Sequence, residues 1–298
     1  MSKVKVICTS TGCVEYGPER YRELGIDFIR IRMTFKGVEY NEGPELDPVK
    51  FYEELEALEN PRDNLPTTAL PAPASIYAIF DKAISEGYDE IIVFTISSKM
   101  GGTYNAICNF AREYESKIKI HVIDTKVAGF CEGLHAIKAQ EMLNKGYTVE
   151  QVLKETEWAI ANQEFIGVDE KLDYLIYNGR LKGAKAFMGQ MLKICPMLRF
   201  NKDGEIVAAE SVRTSKKALM RACEVLKEII GERKPEDYIL FHIYTGPSLL
   251  NKLLEIEEKY DIKTNHEDVI LSPVSGCHNG PWLAGYGFYK IRREDEAL

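Results

Sequence analysis

The 298 residues read as an α/β protein of two domains. Residues 1–164 are expected to form a mostly parallel, doubly wound sheet, and residues 165–298 an α/β domain with a mixed sheet. Three observations carry that expectation. Short apolar, β-branched runs such as Ile91-Ile92-Val93-Phe94 have the character of strands buried on both faces. In the first half these runs alternate with helical periodicities, the pattern of βαβ units. After Phe165 the alternation breaks, and Lys202-Asp203-Gly204 between two strand-like runs is a hairpin signal.

Taken in order, Val4 to Thr9 is the first strand and ends in the polar turn Thr9-Ser10-Thr11-Gly12. Ile26 to Met33 is a second, with Gly37 turning the chain back through Val38 and Tyr40. Asp47-Pro48 opens a helix, Asp as N-cap and Pro at the first helical position, with Phe51, Leu55 and Leu58 on its apolar face. Pro61 to Pro73 is a proline-rich loop holding Pro66-Thr67-Thr68-Ala69, and Ile76, Ile79, Phe80 and Ala83 mark a helix that ends at Gly87. The strand at Ile91 runs through Ser97-Ser98-Lys99-Met100-Gly101-Gly102 into a helix carrying Tyr104, Ile107 and Ala111. Ile118 to Ile123 and the turn Asp124-Thr125-Lys126 come next, then two helices. The second of them starts on a capping box, Thr148 with Gln151.

The C-terminal half gives a strand at Phe165–Val168, a helix near Leu172–Asn178 and hairpin strands at Met197–Asn201 and Glu205–Ser211. Helix Thr214–Ile230, strand Tyr238–Tyr244, helix Ser248–Tyr260 and strand Val269–Ser272 follow. The chain finishes with a loop from Ser275 to Pro281, a last strand near Tyr286–Ile291 and a frayed tail, Glu294 to Leu298.

A formal charge of -8 argues against nucleic acid, which calls for a net basic surface. No apolar run reaches the length of a membrane span and the chain starts on a strand without a signal peptide, so a cytoplasmic protein is expected. Seven cysteines without a CxxC pair fit reduced thiols. No Walker loop, GxGxxG fingerprint or metal-ligand spacing is present, so no cofactor is expected.

The turn from Ser97 to Thr103 places hydroxyls and free helix N–H groups at one mouth, suited to an anion. An ordinary capped βα turn is the alternative reading. Cys277-His278 has the residue types of a thiol nucleophile and its base. Neighbours on an extended chain point in opposite directions, so a dyad of these two is not expected. His242, inside an apolar strand, reads as a satisfied buried histidine, and Asp124 as a turn-stabilising aspartate.

Four pieces together resemble the DegV family of bacterial fatty-acid-binding proteins. They are Thr9-Ser10-Thr11, Pro66-Thr67-Thr68, Ser97-Ser98-Lys99-Met100-Gly101-Gly102-Thr103-Tyr104 and Gly276-Cys277-His278-Asn279-Gly280-Pro281. Asp124-Thr125-Lys126, Gly179-Arg180-Leu181 and Val212-Arg213-Thr214 also look like the family's pattern, in its order. There are departures. Thr9 stands where that family has an acid, Ala69 where it has glutamine, Gly101 where it has serine, and Trp282 where it has glycine.

The resemblance implies a DegV-like two-domain architecture with an acyl chain in an apolar tunnel. It implies a carboxylate met by Thr67, Ser97, Ser98, Gly101, Gly102 and His278, more strongly where the imidazole is charged, and Trp282 adding bulk near that site. It also implies no catalysis by this chain. A separate ATP-using fatty acid kinase would make the acyl phosphate for phospholipid synthesis, with Arg213 serving the encounter. The alternatives are a Cys277- or His278-dependent hydrolase or transferase, and a sensor of a smaller, more polar ligand.

Overall fold

The structure is a computed structural model, and it describes residues 2–60, 62, 64–183 and 194–293. The expected tail, Glu294 to Leu298, lies outside the described residues. Strands β1 (Val4–Thr9), β2 (Asp27–Ile29), β6 (Glu90–Thr95) and β7 (Lys119–Asp124) form a four-stranded sheet in the order β2-β1-β6-β7. All of its pairings are parallel.

Side-chain alternation explains why both faces of this sheet are covered. Ile7, Ile91 and Val93 meet α3 (Pro73–Ser85) and α4 (Thr103–Arg112) through Ile76, Phe80 and Ile107. Val6, Cys8, Ile92 and Phe94 point the other way. That second face is covered by α5 (Phe130–Asn144). α5 is buried along its first eight residues on every side, because its opposite flank packs on β14 (Leu283–Lys290) of a second sheet. Its neighbour α6 (Val149–Ala161) begins on the expected capping box, Thr148 accepting from the Gln151 N–H.

The second sheet has seven strands and mixed pairings. Its order is β13 (Val269–Ile270), β12 (Tyr238–Tyr244), β14, β8 (Gln163–Asp169), β10 (Cys195–Phe200), β11 (Ile206–Val212) and β9 (Leu181–Lys182). α8 (Ser215–Ile230) and α9 (Pro247–Glu257) cover the face away from α5 with Leu219, Leu226 and Leu253. His242 in β12 is satisfied as expected, Nδ1 at 2.7 Å from Asp268 and Nε2 at 2.8 Å from Glu257.

Three sequence expectations change. The run Ile26–Met33 is two strands, because the chain bends where the Ile31 N–H donates to Ser10 Oγ at 3.0 Å. After the bend β3 (Arg32–Phe35) leaves the parallel sheet and joins β4 (Val38–Asn41) in a hairpin. The proline-rich loop contributes β5 (Thr67–Ala69), antiparallel to the free side of β3. Prolines are tolerated at the start of such an edge strand. Of the expected loop from Ser275 to Pro281, the stretch Ser275 to Asn279 is instead part of helix α10 (Pro273–Asn279), whose N-cap Ser272 accepts from the Ser275 N–H. Ser272-Pro273 is a helix-start signal of the same kind as Asp47-Pro48, which opens α2 (Pro48–Glu56). Among the described residues no helix is long and apolar enough to cross a membrane.

The seat of α5 allows no side chain at Gly133, where a Cβ would lie 2.1 Å from the Gly12 carbonyl oxygen. Gly133→Ala is therefore expected to destabilise the protein by about 3 kcal/mol, the upper end for overpacking, because backbone must move. Thermal melting measures it; an unchanged melting temperature contradicts this account of the interface.

Candidate functional site

Residues just beyond the C-terminal ends of β1 and β6, strand β5 of the small sheet and strands β8, β10 and β11 of the mixed sheet line a cleft of about 270 Å³. Ligands of open parallel sheets are held at this end of the strands. Ile96, Met100, Phe165, Phe200, Ile206 and Leu271 make most of its wall apolar. Its polar groups include Thr68, Arg180, His278, Asn279 and the start of α4 at Gly101, Gly102 and Thr103.

Arg180 is placed by the end of α7 (Asp173–Tyr177). Gly179 takes φ 70°, a conformation glycine adopts without cost. The Arg180 N–H then bonds back to Leu175 O at 2.9 Å and the Gly179 N–H to Ile176 O at 3.1 Å, closing a Schellman cap. Asn178 Nδ2 donates to Cys277 O at 2.9 Å, which ties this cap to α10. The Arg180 guanidinium donates to the carbonyls of Met100, at 3.3 Å, and Asn178. Among the described residues no carboxylate pairs with it, and burial pulls its pKa down. A half-buried cation held by neutral acceptors retains a full charge to offer an anion.

α4 starts on Gly102 without a side-chain cap, so its first N–H groups add partial positive charge to the same mouth. Gly101 has open space where a Cβ would stand, so the family's serine would fit there.

Thr68 Oγ1 lies 3.0 Å from His278 Nε2. Burial, then the nearby Arg180 charge, pushes the His278 pKa down to about 3. Such a shift favours the neutral ring near neutral pH, so the condition of a charged imidazole is not met there.

The expected carboxylate ligands divide. Gly101, Gly102 and His278 line the cleft. Thr67 does not; it is exposed, because on a strand alternate residues face opposite ways and Thr68 takes the inward position. Ser97 is fully buried and its hydroxyl donates to Gly204 O at 2.7 Å, so it latches the β10–β11 hairpin onto the turn. Ser98 has its N–H on Asp124 Oδ1 at 3.1 Å and is likewise outside the lining. Asp124 also accepts from the Lys126 N–H at 3.0 Å, the turn-stabilising role expected of it. Trp282 does not crowd the head of the cleft; it packs on Tyr174 and carries the Lys171 ammonium 3.5 Å from its ring.

Cys277 is fully buried on α10, outside the cleft, and burial raises its thiol pKa well above the ordinary value. A nucleophilic thiolate needs the opposite environment. Among the described residues no cluster of three or more His, Cys, Asp or Glu could hold a metal ion. Thr68 and Arg180 are the site residues that sequence reasoning missed. Strand periodicity identifies Thr68 once β5 is recognised; for Arg180 the signal was the Gly179-Arg180-Leu181 piece of the family pattern, which by itself assigned no role.

Fold and cleft define an α/β protein with a mostly apolar pocket that has the Arg180 cation in its lining. Residues 3–290 match the family described as "Uncharacterised protein, DegV family", and the chain belongs to that family. It is 30% identical to a DegV domain-containing protein of Listeria innocua, over 95% of this chain and 97% of that one. It is also 30% identical to a protein of Thermotoga maritima named "Fatty acid-binding protein", over 98% and 99% of the two chains. Among solved structures it resembles a fatty acid binding DegV family protein of Streptococcus agalactiae, with TM-score 0.86 and 26% identity over 98% of this chain and 100% of that one. A DegV lipid binding protein of Thermotoga maritima matches with TM-score 0.81 and 28% identity, over 98% and 100%.

The neutral imidazole has a consequence for pH. A folded-state pKa near 3 against an ordinary 6.5 means that protonating His278 opposes folding. Stability it contributes is present above 6.5 and declines as pH falls towards 3. Between pH 6 and pH 8 the ring does not change charge, so His278→Ala is expected to weaken ligand binding by the same factor at both. Calorimetric titration at the two values measures this; a larger loss at pH 6 would mean a protonated ring.

Proposed function

We propose that this protein binds a long-chain fatty acid, with the carboxylate at Arg180, the N-terminus of α4 and the Thr68–His278 pair. The observation that carries the reading is Arg180, a half-buried cation without a carboxylate partner among the described residues, in the lining of a mostly apolar cleft. Relatives named for fatty acid binding, similar over nearly the whole chain, support it. Each methylene buried along Phe165, Phe200 and Ile206 contributes roughly 0.8 kcal/mol, less the entropy of ordering the chain. A hydrogen bond to the carboxylate contributes roughly 1.5–3 kcal/mol and decides which end enters first.

The test is direct. Protein purified from bacteria is expected to carry a long-chain fatty acid detectable by mass spectrometry, and the delipidated protein to bind palmitate or oleate. Thr68→Val should weaken binding by roughly 1.5–3 kcal/mol. Thr67→Val, on the outer face, should change it by less than about 0.5 kcal/mol. Clean apo protein that also refuses both acids would remove the reading.

On the family resemblance the protein is a cytoplasmic carrier that presents the carboxylate to a separate fatty acid kinase, where the chemistry for phospholipid synthesis takes place. Arg213 supports a docking role by its place: it is exposed, between the end of β11 and the N-cap of α8, and outside the cleft lining. A cationic spot on a chain of net charge -8 can steer an acidic partner, less so as salt rises. Arg213→Ala is expected to leave fatty acid affinity within about twofold and to slow acyl phosphate formation by the cognate kinase at least about tenfold, ~1.4 kcal/mol. Both are measured on one preparation; unchanged turnover would make Arg213 an ordinary solvated arginine.

A further inference from the structure

α10 meets the cleft with one face. Val274, Ser275, His278 and Asn279 line it, an i, i+1, i+4, i+5 set, while Cys277 is turned into the core. A helix of seven residues has too few internal bonds to fix its own position, so its height is set by what grips its ends. Its start is gripped at three points. Tyr52 Oη donates to the carbonyls of Leu271 and Ser272, each at 3.1 Å. Cys13 Sγ accepts the Ser272 N–H at 3.2 Å. The Glu42 carboxylate accepts the Val274 N–H at 2.7 Å.

Glu42 differs from the other two in what holds it. It is fully buried and directly follows β4. Its own N–H donates to Ile31 O at 2.9 Å, which prolongs the ladder of the small sheet, and Arg30 Nη1 donates to its carbonyl at 3.0 Å. On the other side of β3 the same sheet carries β5, with Thr68 opposite Met33. α10 is therefore pinned twice to one small sheet, at Val274 through Glu42 and at His278 through Thr68. The two pins are one helical turn apart, about 6 Å of rise. Moving the first pin moves the second.

We propose that Glu42 is a positioning residue for ligand binding: its carboxylate, by holding the Val274 N–H, sets the height of α10 and so keeps His278 on Thr68 at the head of the cleft. Glu42 itself does not line the cleft. The inference rests on the fatty acid reading for its affinity readout alone, since the His278–Thr68 contact is observable without ligand.

The experiment compares Glu42→Met, which removes the acceptor and keeps the bulk, with Glu42→Gln, which keeps an acceptor oxygen, in the delipidated full-length protein. Palmitate affinity, thermal melting and the ring-nitrogen NMR signals of His278 are recorded. Glu42→Gln is expected to stay within about twofold of wild type in affinity, and Glu42→Met to bind at least about tenfold more weakly while still melting cooperatively. In a His278→Ala background Glu42→Met should add less than about twofold, because the contact it positions is already gone. The His278 ring signals should shift in Glu42→Met and match wild type in Glu42→Gln.

Wild-type affinity in Glu42→Met, or a full additional loss on top of His278→Ala, overturns the proposal. If the wild-type protein binds no fatty acid, that reading fails, and the ring signals decide this one: unchanged signals in Glu42→Met overturn it. Should Glu42→Met not fold, Glu42→Ala takes its place. If neither folds, Glu42 is a residue of folding rather than positioning, and the proposal falls.

Discussion

The burial of α5 on both flanks is the constraint on which the rest of the structure depends. Phe130, Leu134 and Ile137 are at most 1% exposed, and each contributes roughly 1.5–3 kcal/mol by leaving water. Because α5 lies between the parallel sheet and β14, the two sheets share one core, running from Val6 and Phe94 to Phe241 and Leu283. The helix can sit that deep because Gly12 and Gly133 let its backbone touch the turn after β1. The cleft is a consequence. It opens where α5 begins, at Gly129, with loops of one sheet on one side and strands of the other opposite.

Electrostatics then divides the interior. Among the described residues Arg180 faces the cleft without an acid partner, while two buried acids, Glu132 and Glu42, are spent on protein groups. Glu132 in α5 accepts from the hydroxyls of Thr9 and Thr11, with Thr11 Oγ1 2.9 Å from its second oxygen. Burial raises its pKa well above the ordinary value, and those hydroxyl bonds oppose the shift. The family pattern expects an acid at the position of Thr9. Here Glu132 brings a carboxyl to this turn from α5, on the hydroxyls of Thr9 and Thr11. Glu42 is committed in the same way to α10. An anion entering the cleft thus meets a cation, helix N–H groups and a neutral imidazole rather than an ionised carboxylate.

Much of this was legible in the sequence, for local reasons. The strands of the parallel sheet declare themselves because burial on both faces demands unbroken apolar runs, as in Ile91 to Phe94. Asp47-Pro48 and Thr148 with Gln151 announce helix starts because capping is a contact within one turn of chain. Lys202-Asp203-Gly204 announces the hairpin, since its turn needs residues that accept unusual backbone angles, and Gly204 takes φ 86°. The family was legible too, because its motifs are short runs of sequence, readable even at Thr67-Thr68 and Cys277-His278, where the element that carries them was not.

Which of those motif residues face the cleft was decided by tertiary structure. Thr67 and Thr68 are chemically equivalent in the sequence, and only the pairing of β5 with β3 makes Thr68 the inward one. Ser97 reads as a ligand hydroxyl until the hairpin from the mixed sheet brings the Gly204 carbonyl to accept its hydrogen bond. His278 reads as a titrating group until burial and Arg180, ninety-eight positions earlier in the chain, hold it neutral. Arg180 lines the cleft from the cap of α7, which is tied to α10 across the fold. The sequence by itself determined the elements and the family, since propensity, capping and periodicity act over a few residues. Desolvation and charge depend on what the rest of the chain brings within a few ångströms, so the chemistry of the cleft was left to the packed structure.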